Sequence, residues 1–483
     1  MKRGSSLLVE LKRSEKVARR LDMEPRRWRR NAESVLDILE KYIEQSRKRP
    51  AFSAGNFQRS IDCDETLTLA EAVKRLTAPA FLVGSNHKSS RNFAYFVSGG
   101  LPAASFARFA AAVTNGYSGK QESAPGPVLI ENSVIKWLVK TVGFPKQAFG
   151  NLTSGGSGAN LSAVVVARDH SYATGRSQLL PVVYISELAH GSISRALHIA
   201  GLSRCPIRRI PVDDHFRMDT DRLDELIKKD RLSGLRPWLL VATAGTTAAG
   251  SIDPLGKISQ IAQHYGIWLH VDAAYGGMFV LTSDGRKQLL KMAHADSITV
   301  NPHKGLFIPH GVGAILVRNA KLLASSFNYT AEDCMIGKSV RSLPPDPSHC
   351  SWELTRPFRG AEVWLSLAVY GKKVFEAALQ EKLLLAQFLY KELDSMHEFE
   401  VGPNPDLSVV LFRPRNGRHS ISDSSNCGIQ MLDEFLKAAG FNQNIVNLRG
   451  KSFLRFAILN YSTHLEDIES LLHHLKLFGR RHI

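Results

Sequence analysis

Between Thr153 and Arg318 the chain alternates short β-branched and apolar runs with stretches of helical period. No other feature restricts the fold as much. The runs VVYIS (182–186), IRRIPV (207–212), WLLVAT (238–243), IWLHVD (267–272), SITV (297–300) and AILVR (314–318) read as strands. Helices are expected between them at about 158–170, 192–200, 219–229 and 254–265. Strands that are apolar on both faces and separated by helices imply a mostly parallel sheet covered on each side, so the predicted class is α/β. In such sheets ligands bind beyond the strand C-termini, and the polar motifs of this chain fall there.

The flanking regions read differently. From about residue 360 the sequence predicts a long helix (AEVWLSLAVYGKKVFEAALQEKLLLAQFLYKEL), a strand (LSVVLFRP), a helix near 428–439, a strand (FLRFAIL) and a last helix, which together make a smaller α+β domain. Upstream, residues 27–47 carry Trp28, Val35, Leu36, Ile38, Leu39 and Ile43 at helical spacing, an apolar stripe ringed by charge. Residues 328–352 have little periodicity and hold three prolines, so a long mobile loop is expected there. The division that follows is an N-terminal helical arm over 1–92, a large α/β domain over 93–355 that includes this loop, and a small domain over 356–483.

Composition narrows the function classes. The chain has 483 residues, is 44% hydrophobic and 22% charged, and carries a formal charge of +17. That is an ordinary soluble profile with ample length for a core. No apolar run reaches the roughly 18 residues of a membrane span. The N-terminus lacks the apolar stretch of a secretory signal, so a cytoplasmic location is expected. Cys63, Cys205, Cys334, Cys350 and Cys427 are scattered without a CxxC pair. Free thiols are expected, with no disulfide framework and no metal site. Eleven of the first thirty residues are Lys or Arg, a pattern that suits a solvated helix face, an anionic ligand or a nucleic-acid contact. No zinc-finger, helix-turn-helix or RNA-binding motif accompanies the charge, so neither nucleic acid nor membrane is an expected partner.

Four motifs at strand ends carry the chemistry. TSGGSGAN (153–160) places Gly155, Gly156 and Ser157 before a helix whose free N–H groups can receive a phosphate, although glycine-rich turns are common. No GK[ST] follows and the full GxGxxG pattern is missing. HVDAAYGG (270–277) puts Asp272 at the end of an apolar strand, where a carboxylate calls for a cation or a protonated ring nitrogen, or else caps a helix. NPHKG (301–305) carries Lys304, which reaches either solvent or, from a desolvated pocket, an aldehyde as a Schiff base. SELAHGS (186–192) sets His190 just after a strand, as a structural residue or an aromatic face. Taken together, an aldehyde-capturing lysine, a carboxylate for a pyridinium nitrogen, a phosphate-receiving turn and an aromatic cover are what a pyridoxal 5'-phosphate site needs.

These motifs, with TAGTTAAGSIDPL (243–255) and LTRPFRGAEVWLSLAVYG (354–371), are similar in order and spacing to those of the group II pyridoxal-phosphate-dependent amino-acid decarboxylases, over nearly the whole chain. The resemblance implies fold type I, the aspartate-aminotransferase-like architecture, and conversion of an L-amino acid to its amine and CO2. It implies that Lys304 binds the cofactor, Asp272 pairs with its ring nitrogen and His190 covers the ring. Gly156, Ser157, Asn301 and His303 match positions near the phosphate, and Thr246 and Ala274 match residues lining the ring. Arg455 matches an arginine that contacts a substrate carboxylate in glutamate-type members, or else it pairs within the small domain. The resemblance also implies a homodimer with shared active sites and exchanged N-terminal helices.

The segment FAYFVSGG (93–100) resembles the family's substrate-lining stretch, in which Phe93, Tyr95 and Phe96 suit an aromatic or apolar side chain unless they are core. The sequence does not choose among aromatic, acidic and basic substrates. Two positions depart from the family pattern. Gly158 replaces an acidic residue, and the loop reads AEDCM at 331–335 without the family's tyrosine, the nearest being Tyr329. The alternative to amine formation is therefore decarboxylation-coupled oxidation to an aldehyde, or another reaction at the α-carbon. A non-catalytic protein that keeps the cofactor site for regulation is a second class, which intact Lys304, Asp272 and His190 argue against.

Overall fold

The computed structural model describes residues 2–55, 63–173, 179–327, 345–415 and 427–482. It forms two compact units, Met1–Ser89 and Ser90–Ile483. In the first, helices span Lys2–Ala18, Pro25–Lys48 and Leu69–Leu82, and Phe52–Ser53 pairs antiparallel with Gly84–Ser85. The amphipathic stretch expected over 27–47 lies within the second of these helices. The third opens on a capping box, in which the Thr68 hydroxyl accepts from Glu71 N at 3.3 Å and the Glu71 carboxylate accepts from Thr68 N at 3.0 Å.

The second unit is built on a seven-stranded sheet: β1 (Phe149–Thr153), β2 (Pro181–Ser186), β3 (Ile207–Ile210), β4 (Arg236–Thr243), β5 (Trp268–Ala273), β6 (Ser297–Val300) and β7 (Gly313–Val317). Its order is β1-β7-β6-β5-β4-β2-β3. The pairings among β2 to β6 are all parallel, and β7 runs antiparallel to both β6 and β1. The inner strands are buried on both faces, as their unbroken apolar runs require. A four-stranded antiparallel sheet follows, made of β8 (Phe399–Val401), β9 (Val409–Pro414), β10 (Asn444–Leu448) and β11 (Lys451–Ala457) in the order β8-β9-β11-β10. It packs with the helices Gly360–Asp394 and Leu465–His482 around a second apolar core. The α/β class and the smaller C-terminal α+β part stand as expected.

A buried ion pair secures the edge of the large sheet. Arg356 is 1% exposed; its Nη2 donates to Glu131 Oε2 at 2.8 Å and to Leu152 O at 3.0 Å, and its Nη1 to Asn151 Oδ1. The other Glu131 oxygen accepts from Gly360 N at 3.0 Å. This one carboxylate thus ties the start of the long helix to β1, the strand that feeds the glycine turn. Residues 328–344, which hold Tyr329 and the AEDCM stretch of the expected mobile loop, lie outside the described residues. The rest of that segment corrects the expectation. Pro347, Ser348, Cys350 and Ser351 are buried, with Ser348 N donating to Gly119 O at 3.0 Å and Asp346 accepting from Gln121 N at 2.8 Å, while Trp352 is exposed.

Candidate active site

β5 and β6 are parallel neighbours, with Asp272 in register with Thr299. Asp272 therefore stands at the C-terminal end of β5. Past β6, Asn301 leads into a one-turn helix, Pro302–Gly305, that starts on proline and presents His303 and Lys304 beside it. The turn after β1 completes the wall: Gly155 has φ +150°, and a Cβ on Gly156 would come within 2.9 Å of Asn301 Nδ2. These groups line one cavity of about 290 Å³ together with His190, Ser157 and Ala274.

Lys304 makes no ion pair among the described residues. Burial lowers its pKa to about 8; nearby Asp272 opposes the shift, and Arg455 adds to it. Asp272, 6% exposed, accepts from Asn160 Nδ2 at 2.9 Å and from Ala274 N at 3.1 Å, with no cation paired to it among the described residues. His303 is pushed down to about 3, first by burial and then by Lys304 and His310, and its Nδ1 is buried without a hydrogen-bond partner. Asn301 Oδ1 is buried and unpartnered in the same way.

These features fit pyridoxal 5'-phosphate. The first-turn N–H groups of the helix Gly156–Ala173 have no acceptor within the helix, and they open on the cavity beside the orphaned His303 nitrogen, a cradle for a phosphate. A buried carboxylate with no cation paired to it among the described residues suits a protonated pyridine nitrogen, and a lysine whose pKa is lowered to about 8 suits an aldehyde.

On the other side of Lys304 lies an aromatic platform. Lys304 Nζ is 5.0 Å from the Phe96 ring centroid, and Phe96 stacks on Tyr275 at 3.9 Å. Arg455, from β11 and 2% exposed, lies over the same ring and donates through Nη1 to Tyr95 O at 3.1 Å, while its Nε and Nη2 are buried without partners. Tyr95 has φ +57°, a left-handed backbone that separates its neighbours' directions. Phe93 packs on Phe441 and Phe456 in the second core, Tyr95 is 63% exposed, and Phe96 reaches the site.

The structure brings Gly156, Ser157, His190, Asp272, Ala274, Asn301, His303 and Lys304 to one cavity. Thr246 is fully buried with its hydroxyl 2.8 Å from Ser251 Oγ, and Thr247 lines the cavity instead. Asn160, Ser192 and Tyr275 also line it, though sequence reasoning assigned them nothing. All three lie inside the strand-end motifs TSGGSGAN, SELAHGS and HVDAAYGG, so their position was the available signal. A larger cavity of about 800 Å³ sits at the opposite ends of the strands, among Arg231, Arg236, Trp268 and Arg318, remote from this chemistry.

The family model for the pyridoxal-dependent decarboxylase conserved domain matches residues 56–415. The chain is 33% identical over 352 residues to an aromatic-L-amino-acid decarboxylase of Bacillus atrophaeus, covering 73% of each chain. It is 28% identical over 414 residues to a phenylacetaldehyde synthase of Petunia hybrida, covering 81% of this chain and 80% of that one. Its fold matches the crystal structure of Oryza sativa TDC with PLP and tryptamine at a TM-score of 0.88 and 22% identity, over 95% of this chain and 98% of that chain.

Proposed function

From the premise that the chain belongs to the pyridoxal-dependent decarboxylase family, and so is a pyridoxal-phosphate-dependent carboxy-lyase acting on an amino acid, we propose that its substrate is an aromatic L-amino acid and its product the amine. The observation that carries the substrate class is the stack of Phe96 on Tyr275 beside Lys304. The similarity to an aromatic-L-amino-acid decarboxylase supports it.

Bound in the cavity, pyridoxal 5'-phosphate supplies the electron sink for loss of CO2 from the α-carbon. The chain's residues do the rest. Lys304 would be the residue that holds the cofactor through its aldehyde, with an amine whose pKa burial lowers. Asp272 would hold a proton on the ring nitrogen, which would keep the ring electron-poor. His190 would cover the ring face, and the Gly156–Ser157 turn with His303 and Asn301 would hold the phosphate. Arg455, with two unpartnered donor nitrogens, offers them to a substrate carboxylate. Tyr275 lines the cavity and Phe96 stacks on it beside Lys304, an apolar face for the substrate side chain.

A second reading, decarboxylation coupled to oxidation to an aldehyde, is favoured by one observation: residues 331–335 read AEDCM, with no tyrosine. Similarity to a phenylacetaldehyde synthase supports keeping it. The test is mass spectrometry of products from the common amino acids, with and without oxygen. Amine formed equally well without oxygen is the expected result, and an oxygen-dependent aldehyde overturns it.

We further read the molecule as a cytosolic homodimer divided at 1–92, 93–355 and 356–483. The helix Pro102–Val113 exposes Phe106, Phe109 and Val113 on one face, as a subunit contact would require, and the described cysteines are free. No helix among the described residues is long and apolar enough to cross a membrane.

A further inference from the structure

Beneath the cavity floor, a hydrogen-bond chain joins Trp268 to His190, and its direction is fixed by groups that have no choice of role. The indole N–H of Trp268 and the backbone N–H of Ser192 only donate, and an ionised carboxylate at Asp272 only accepts. Asn160, 1% exposed, must therefore turn Nδ2 towards Asp272 Oδ2 at 2.9 Å, and its second amide proton reaches Ser192 Oγ at 2.8 Å. Its Oδ1 accepts from Thr299 Oγ1 at 2.6 Å and from His270 Nε2 at 3.1 Å. With its proton on Nε2, His270 accepts at Nδ1 from the Ser297 hydroxyl at 2.9 Å, and that oxygen accepts from Trp268 Nε1 at 3.0 Å. Burial holds the His270 pKa below its ordinary value, which keeps the ring neutral as this pattern requires.

At the other end, Ser192 Oγ already accepts from Asn160, so its one proton goes to His190 Nδ1 at 2.8 Å. The backbone N–H of Ser192 donates to the same nitrogen at 3.2 Å. Nδ1 thus carries no proton, and Nε2–H is the donor left for the cavity that His190 lines.

We propose that Asn160 is the positioning residue that couples the two cofactor-facing groups: one carboxamide donates to Asp272 and, through Ser192, locks His190 in its Nε2–H tautomer. The proposal rests on the reading of this cavity as the pyridoxal-phosphate site. Its consequence is that the carboxylate and the imidazole are set together, so no change at Asn160 perturbs one alone.

The test is nitrogen NMR of the holoenzyme labelled with ¹⁵N-histidine, with the His190 signals assigned by difference from His190→Gln, alongside the cofactor absorption spectrum and steady-state kinetics. The expected wild-type result is a non-protonated Nδ1 and a protonated Nε2. Asn160→Asp turns the Ser192 hydroxyl towards the new carboxylate; it should move the Nδ1 signal, shift the absorption band and lower kcat about 10- to 100-fold with KM nearly unchanged, the range for outer partners that orient a reactive group. Ser192→Ala, which removes a single oxygen and keeps the proposal testable should Asn160→Asp fold poorly, should move the same signal, and Ser192→Thr should restore it. A protonated Nδ1 in the wild type, or signals and band unmoved in both Asn160→Asp and Ser192→Ala, overturns the proposal. The ring-nitrogen pattern is also read without cofactor, so a wild-type protein with no cofactor band counts against the cofactor reading alone.

Discussion

The guanidinium carbon of Arg455 lies 4.5 Å from the centroid of the Phe96 ring, a cation held over an aromatic face inside the protein. Burial lowers the Arg455 pKa to about 10, and the ring's negative face is what the cation has in place of a carboxylate. Replacing Phe96 by leucine keeps the bulk and removes that face. The expected outcome is a loss of about 10-fold or more in preference for aromatic over aliphatic amino acids, measured as the ratio of kcat/KM values. An unchanged ratio would show that another surface selects the side chain.

Lys304→Ala should abolish turnover and borohydride-trappable cofactor, because no other amine lines the cavity among the described residues. Mass spectrometry of the reduced protein checks this. A variant still labelled at full stoichiometry would place the reactive amine elsewhere.

Asp272→Ala should retain measurable cofactor, held through its phosphate, and lose about 10³-fold in kcat, the scale of removing one preorganised electrostatic partner. Near-normal turnover in this variant would mean that a different group governs the ring nitrogen.

The pH dependence of cofactor capture follows from Lys304. Its pKa, near 8 rather than the ordinary 10.5, frees the amine at lower pH than an exposed lysine would. Cofactor uptake by stripped protein, followed by absorbance, should rise with pH and level off above about 8. Uptake that still climbs steeply above about pH 9.5 would contradict the lowered value. The linkage to stability has the same origin: between about 8 and 10.5 the unfolded chain binds more protons at this lysine than the folded one does, so this group's contribution makes the stripped protein more stable as pH rises through that window.

Glu131→Ala should lower stability by about 3–5 kcal/mol, the usual effect of leaving one buried charge without its partner, here Arg356. The urea midpoint reads it. A shift within about 0.5 kcal/mol would mean that the ion pair is replaced by water or by a shifted neighbour.

The strands and motifs that were legible in the sequence share a property: each carries its own signal. Asp272 ends a visibly apolar strand, and Lys304 follows another. β1 was not legible, because its residues answer to partners elsewhere. Gly150 is required since a Cβ there would lie 2.3 Å from Ile315 O, and Asn151 is buried because its side chain receives Arg356. Neither residue favours a strand by propensity. The split of FAYFVSGG between core and site was illegible for a similar reason, since it turns on one positive φ at Tyr95. Asn160 could be quoted from its motif and still not be understood, because its partners arrive from β5, β6 and the turn beyond β2.

Asp272 and Thr299 face each other as register partners on two adjoining strands, and Lys304 follows five residues after Thr299. A slip of one residue between β5 and β6 would carry the carboxylate to the other side of the sheet, away from the lysine. Such a molecule would keep its lysine and its phosphate-receiving turn but leave the cofactor's ring nitrogen without its carboxylate. Cofactor content alone therefore does not report a correctly assembled central sheet, whereas turnover per bound cofactor does.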